Sequence, residues 1–149
     1  MVAKWAEDEG PKFTGGVVTS LRGAAKHAGL THVGLAHMGK LETLSDADRL
    51  PRLDVLECSG CGKLQEHAIM GQAKTLRILR LNRCGEVPNL GFLDGLPSLE
   101  EFRFVGTNVV DGDLSPLLRL RSVGFDRKRH YSHTPKQLDA LLAKNRSAP

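Results

Sequence analysis

An apolar pattern recurs five times along this chain at almost constant spacing, with successive copies starting 23, 23, 23 and 21 residues apart. Each copy has an apolar residue at positions 1, 4 and 6. The copies are Leu30-x-x-Val33-x-Leu35, Leu53-x-x-Leu56-x-Cys58, Leu76-x-x-Leu79-x-Leu81, Leu99-x-x-Phe102-x-Phe104 and Leu120-x-x-Val123-x-Phe125. Because alternate side chains of a strand point to one side, each copy predicts a short strand with one apolar face. One such strand cannot bury that face alone, so neighbouring copies must stack.

The connections between the predicted strands carry apolar residues at every third position, most clearly Val87, Leu90, Leu93 and Leu96. Side chains three residues apart eclipse in a 3₁₀ helix, so this spacing indicates irregular or 3₁₀ returns. We therefore predict an α/β repeat solenoid with about five parallel strands on its concave face and a C-terminal capping helix.

The third copy extends to Leu76-x-x-Leu79-x-Leu81-x-x-Cys84 and resembles the leucine-rich repeat, in which Asn or Cys turns the chain after the strand. The resemblance covers residues 17 to 125 and is closest to the short-repeat, internalin-like or phosphatase-regulator-like type. It implies the fold. It implies little about function, because this scaffold binds many unrelated ligands.

The N-terminal part, residues 1–29, reads as a cap and partial repeat before the repeats of residues 30–126. Shifting the frame back by 23 residues places Glu7, Gly10 and Lys12 at the apolar positions, so we expect a return without its strand. Either Trp5 and Phe13 form a purpose-built cap, or the chain derives from a longer solenoid. Terminal repeats are normally atypical, which favours the cap.

The C-terminal part, residues 127–149, contains a helix signal. Thr134 and Gln137 match a capping box, and Pro135 fits the first helical position. We predict a helix over residues 135–145 that covers the last repeat with Leu138, Leu141 and Leu142.

The net charge of +4 is unevenly distributed: residues 119–136 carry +5, whereas residues 1–118 carry −2. This asymmetry raises an anionic partner, such as nucleic acid, at the C-terminal end. The candidate anion-binding residues are Arg127, Lys128, Arg129 and His130.

The sequence favours a cytoplasmic protein without a membrane partner. No apolar stretch is long enough to cross a bilayer, and the N-terminus lacks the apolar core of a signal peptide. Three cysteines are not a disulfide framework. The alanine-, glycine- and arginine-rich composition suggests a bacterial source.

The cysteines invite a metal or disulfide interpretation, since Cys58-x-x-Cys61 is followed by Cys84. The repeat frame favours a structural role, because Cys58 occupies a core position and the other two occupy the turn position after the strand. We predict no metal and no cofactor.

A catalytic site is not indicated. His130, Tyr131 and His133 lie together, but Asp126 is the nearest carboxylate and no catalytic motif is present. We expect Tyr131 to pack under the capping helix while the histidines and arginines stay solvated; a binding role is the alternative.

The concave face carries positions 3, 5 and 7 of each copy, and there Glu57, Arg80 and Arg103 form a charged row. Such a row is either a set of surface ion pairs with little energetic value or part of a partner-binding patch. We favour a non-enzymatic protein-interaction module. Its candidate binding residues are Glu57, Arg80, Arg103, Glu101, Ile78, Val55, Asn82 and His32.

Other functions remain open alongside this one. Polyanion or nucleic-acid binding at the basic C-terminal end is the first, and an antitoxin or immunity protein that blocks a toxin fits the size. The identity of the protein partner and the oligomeric state are not fixed by the sequence, and short solenoids can also associate through strand edges.

Overall fold

The computed structural model describes residues 12–14, 29–42, 50–64 and 73–147. Within these ranges the chain forms short strands, two 3₁₀ turns and one α-helix. The strands are β1 (Lys12–Thr14), β2 (His32–Ala36), β3 (Val55–Ser59), β4 (Ile78–Asn82), β5 (Glu86–Val87), β6 (Glu101–Arg103), β7 (Asn108–Val109) and β8 (Ser122–Gly124). The 3₁₀ turns span Gly91–Gly95 and Ser115–Arg119, and the helix α1 spans Pro135–Ser147.

The main sheet is parallel and follows the chain, in the order β1-β2-β3-β4-β6-β8. The five predicted strands pair at equivalent positions of each copy, so that Leu56 lies beside Leu79 and Leu79 beside Phe102. This register confirms the predicted frame, including the shorter step of 21 residues into β8.

The strand β1 corrects the expectation that the N-terminal return has no strand. It pairs with β2 in parallel and sets Phe13 opposite Leu35. The frame therefore steps back by 22 residues here, whereas the prediction used 23 and placed Lys12 at that position. Parallel pairing needs only backbone groups, so an edge strand forms without the apolar positions that made the other copies visible. The predicted cap of Trp5 and Phe13 side chains lies outside the described part.

The core lies on one side of the main sheet and is filled by the apolar positions of the copies. Position 1 is fully or almost fully buried in all five copies, and the aromatic side chains of the fourth copy are buried as well. The later returns contribute Leu93, Leu96, Leu114 and Leu117. The third and fourth returns contain the predicted 3₁₀ turns, whereas residues 43–49 and 65–72 of the first two lie outside the described ranges.

The residue that follows position 7 adopts a left-handed backbone in four successive copies. It is His37, Gly60, Arg83 and Gly106, with φ of 55°, 69°, 55° and 75°. Larger residues alternate with glycine because a Cβ on Gly60 would lie 2.8 Å from His37 Nδ1, and one on Gly106 2.9 Å from Arg83 Cγ. Each larger side chain thus covers the glycine of the next copy.

The C-terminal end closes the structure through Tyr131 and α1. The Tyr131 hydroxyl accepts a hydrogen bond from Val109 N at 3.0 Å, at the edge of the small sheet β5-β7. The helix begins at Pro135 as predicted and ends two residues later than expected. Leu138 and Leu142 are buried, but Leu141 is exposed, which corrects its assignment to the core. Among the described helices, none has the length and apolar character needed to span a bilayer.

Candidate functional site

The face of the main sheet opposite the core, called the open face here, carries positions 3, 5 and 7 of each copy. Pairing of the strands places Glu57 beside Arg80 and Arg80 beside Arg103, with Gly34 and Gly124 at the two ends of this row. The strands therefore bring together the charged residues that the sequence predicted to be neighbours.

A continuous chain of polar contacts crosses four strands of the open face. Arg80 Nη1 donates to Glu57, and Arg80 Nη2 lies 3.4 Å from Glu101 Oε2. The other oxygen of Glu101 accepts from Arg103 Nε at 2.7 Å. At the opposite end, His32 Nε2 lies 3.1 Å from Glu57 Oε2. Positive and negative groups alternate, so most of the charge is compensated within the row.

The carboxylates lie deeper than the arginines. Side-chain exposure is 21% for Glu57 and 16% for Glu101, against 35% for Arg80 and 43% for Arg103. Burial by itself would raise the pKa of Glu57, but the hydrogen bonds and charges of His32 and Arg80 outweigh it and lower the pKa below its ordinary value. The carboxylates thus hold the guanidinium groups in place and leave the arginines toward solvent.

The arginines keep unused hydrogen-bonding groups. Arg80 Nε is shielded from solvent and has no hydrogen-bond partner. Buried polar groups normally find one, so this atom is an exception. Arg103 uses only Nε, and its Nη1 lies over β8, where a Cβ on Gly124 would come within 2.7 Å of it.

The apolar and amide candidates have different environments. Val55 and Ile78 are half-buried beside the row, and Val105, which was not among the candidates, is 42% exposed at position 7. Asn82 Oδ1 accepts a hydrogen bond from Val105 N at 3.0 Å, so its carbonyl group serves the connection between copies. Asp126 does the same for Gly106 N at 2.7 Å.

A second charged row at position 2 was missed. Asp54 and Arg77 form two hydrogen bonds of 2.9 and 3.0 Å, and Arg77 Nη1 lies 3.6 Å from Glu100 Oε2. Asp54, Arg77, Glu100 and Arg121 follow the repeat spacing with alternating charge. The signal was therefore present in the sequence, in a column that the alternation of strand side chains had not marked as part of the face.

The basic C-terminal cluster is partly structural. His130 is exposed, yet its Nε2 lies 2.9 Å from Val109 O and its ring packs on Tyr131. Tyr131 packs in turn against Phe104 and Phe125, as expected of a capping residue. Arg127 and Arg129 are exposed and Lys128 is half-buried; none of the three forms an ion pair with any described residue.

The three cysteines are free and buried. Cys84 Sγ lies 3.4 Å from Cys58 O, and Cys61 Sγ lies 4.0 Å from Leu35 O. Hydrogen bonding to Cys61, followed by burial, raises the pKa of Cys58 and of Cys84. In the described ranges, no group of three or more His, Cys, Asp or Glu side chains is arranged to hold a metal.

Comparison with known proteins supports the fold. No protein-family model matches the chain, and no curated protein matches it in sequence. Among solved structures, it is similar to an internalin of Listeria monocytogenes, with a TM-score of 0.51 and 16% sequence identity. The match covers 70% of this chain and 37% of the internalin. At this identity the likeness concerns the repeat architecture alone.

Proposed function

We propose that this chain is a leucine-rich repeat solenoid and a non-enzymatic module that binds a protein partner through the concave side of its sheet, which is the open face. The observation that carries this proposal is the charged row of His32, Glu57, Arg80, Glu101 and Arg103, with its exposed guanidinium groups.

The composition of the open face supports a protein partner. Arginine is enriched among interface residues that dominate binding energy, and the row is flanked by Val55, Ile78 and Val105. Internal ion pairing also holds the arginine side chains before binding, which reduces the entropy lost on association. Extended sheet faces of this kind are what repeat proteins offer to ligands. The free, buried cysteines fit a cytoplasmic location.

The test is affinity capture from a lysate of the encoding organism. The bait is the full chain, compared with a variant in which Glu57, Arg80 and Arg103 are replaced by alanine. A matched control replaces the exposed return residues Glu42, Arg52 and Lys74, which removes the same charges elsewhere. We expect a protein that is retained at moderate salt by the wild type and the control and lost with the open-face variant. Equal capture by all three folded baits contradicts the proposal.

Polyanion binding at the basic end is the second candidate, and it is favoured by the lack of ion pairs at Arg127, Lys128 and Arg129 within the described ranges. The same capture distinguishes it. This function predicts nucleic acid that is released as salt rises, because phosphate contacts displace counterions. Recovery would then be unaffected by the open-face variant and abolished by alanine at these three positions.

A further inference from the structure

Charge pairing on the open face is complete at one end and incomplete at the other. Glu57 in β3 is paired on both sides, by His32 and by Arg80. Toward β6 and β8 the balance changes, because Arg103 uses one of its three nitrogens and Arg121 has no side-chain partner among the described residues. The unpaired charge of the open face is therefore positive and lies at its C-terminal half.

The guanidinium of Arg103 is held against the backbone of β8. An added Cβ at Gly124 would lie 2.7 Å from Arg103 Nη1 and 3.5 Å from its Cζ, so only glycine leaves room for this placement. In the part of the chain that is described, Nη1 and Nη2 donate no hydrogen bond. Two adjacent N–H groups of a fixed arginine match the two oxygens of a carboxylate.

The surroundings of Arg103 suit a side chain that brings both a carboxylate and apolar surface. Val105, two residues further along the chain, is 42% exposed. On the other side, a shallow cavity of about 230 Å³ runs between the charged rows and is lined by Arg77, Ile78, Glu100, Glu101, Arg121 and Ser122.

The nearby acidic groups are already engaged. Glu101 bridges Arg80 and Arg103, Glu100 lies 3.6 Å from Arg77, and Asp126 accepts from Gly106 N. They compensate their own partners and do not satisfy the Nη groups of Arg103. An incoming carboxylate therefore meets unused donors at this end of the face.

We propose that the half of the open face over β6 and β8 is the docking site, and that its occupant is an acidic segment of a partner protein. A carboxylate of that segment binds Nη1 and Nη2 of Arg103, and a neighbouring apolar side chain covers Val105. This inference rests on the proposed function and specifies the chemistry of the partner.

The test is selection from a random dodecapeptide library displayed on phage, with the full chain immobilised. Pools selected on the wild type are expected to be enriched in Asp or Glu next to an apolar residue. Pools selected on Arg103→Glu are expected to be enriched in Lys or Arg instead. A synthetic peptide from the wild-type pool should bind the Arg103→Glu protein about tenfold more weakly or worse, and Arg103→Gln, which keeps the length of the side chain, should also weaken it.

The matched control is Arg52→Glu, the same charge reversal at an exposed arginine on a return, which should leave peptide affinity unchanged. Circular dichroism and thermal unfolding establish that each variant is folded. Pools without acidic enrichment, or peptides indifferent to Arg103→Glu, overturn the inference. If such peptides still lose binding on Ile78→Asp, the open face remains a binding surface and only its proposed acidic partner is wrong. Peptides that respond to neither substitution contradict both proposals, and so does a selection that enriches no peptide.

Discussion

The residue at position 9 of each copy ties that copy to the preceding one. Cys61 Sγ lies 4.0 Å from Leu35 O, Cys84 Sγ lies 3.4 Å from Cys58 O, and Thr107 Oγ1 donates to Leu81 O. The donor and acceptor are 26 residues apart in all three cases. A thiol and a hydroxyl thus perform the same structural task, which explains why cysteine occupies this position without forming a metal site or disulfide.

Thr107 is the strongest of these links, and its replacement by valine tests their value. Thr107 is 1% exposed, and its hydroxyl also accepts from Cys84 N at 2.9 Å. Valine keeps the shape but leaves a buried N–H and a carbonyl without this partner, so we expect the free energy of unfolding to fall by about 1–3 kcal/mol. Urea denaturation measures the change.

Thr107→Cys is the comparison for that experiment, because cysteine occupies position 9 in the two preceding copies. It retains a weak donor and should cost less than valine. A valine variant as stable as the wild type would show that the buried hydroxyl contributes nothing to the stacking of these copies.

At the scale of the element, α1 illustrates a helix whose start is written locally. Thr134 Oγ1 accepts from Gln137 N at 3.1 Å, and Gln137 Oε1 accepts from Thr134 N at 2.9 Å. This is the capping box that the two residues predicted. The end of the helix carries no comparable signal, and there the prediction stopped two residues short.

Removing this cap should weaken the C-terminal end. We expect Thr134→Ala to lower the free energy of unfolding by about 1 kcal/mol, within the usual range of about 0.5–2 kcal/mol, because the N–H of Gln137 loses its acceptor. Thr134→Ser preserves the acceptor and should remain close to the wild type. The urea midpoint of both variants is the measurement, and equal midpoints for alanine and serine would contradict the role of the box.

The strands show what the sequence could and could not predict. β2, β3, β4, β6 and β8 were found because each has apolar residues at fixed positions facing the core. β1 was missed because it is an edge strand recognised by backbone pairing, one residue out of the 23-residue frame. The row at position 5 followed from register, whereas the contact between His32 and Glu57 joins positions 3 and 5 and depends on rotamers that no spacing specifies.

At the scale of the whole molecule, the main sheet is built from contacts between neighbours. Each strand pairs only with the preceding and following copies, and α1 packs on β8 and on the 3₁₀ turn Ser115–Arg119. The core also changes along this direction, from leucine and cysteine to the stacked rings of Phe102, Phe104 and Phe125. Stability in such an arrangement is a sum of local and nearest-neighbour terms.

The linear arrangement predicts that damage at the C-terminal end stays near that end. Leu138 is 1% exposed under the last copy, so Leu138→Ala should cost about 2–5 kcal/mol where α1 meets β8. In native-state hydrogen exchange, we expect the amides of β8 and α1 to lose most protection and those of β3 to lose least, because local opening is less costly than unfolding every copy. Leu141→Ala on the exposed side of the same helix serves as the control, with a change of no more than about 0.5 kcal/mol. An equal loss of protection in β3 and β8 would instead show that all copies unfold as one cooperative unit, and that the binding face cannot open at one end while it remains ordered at the other.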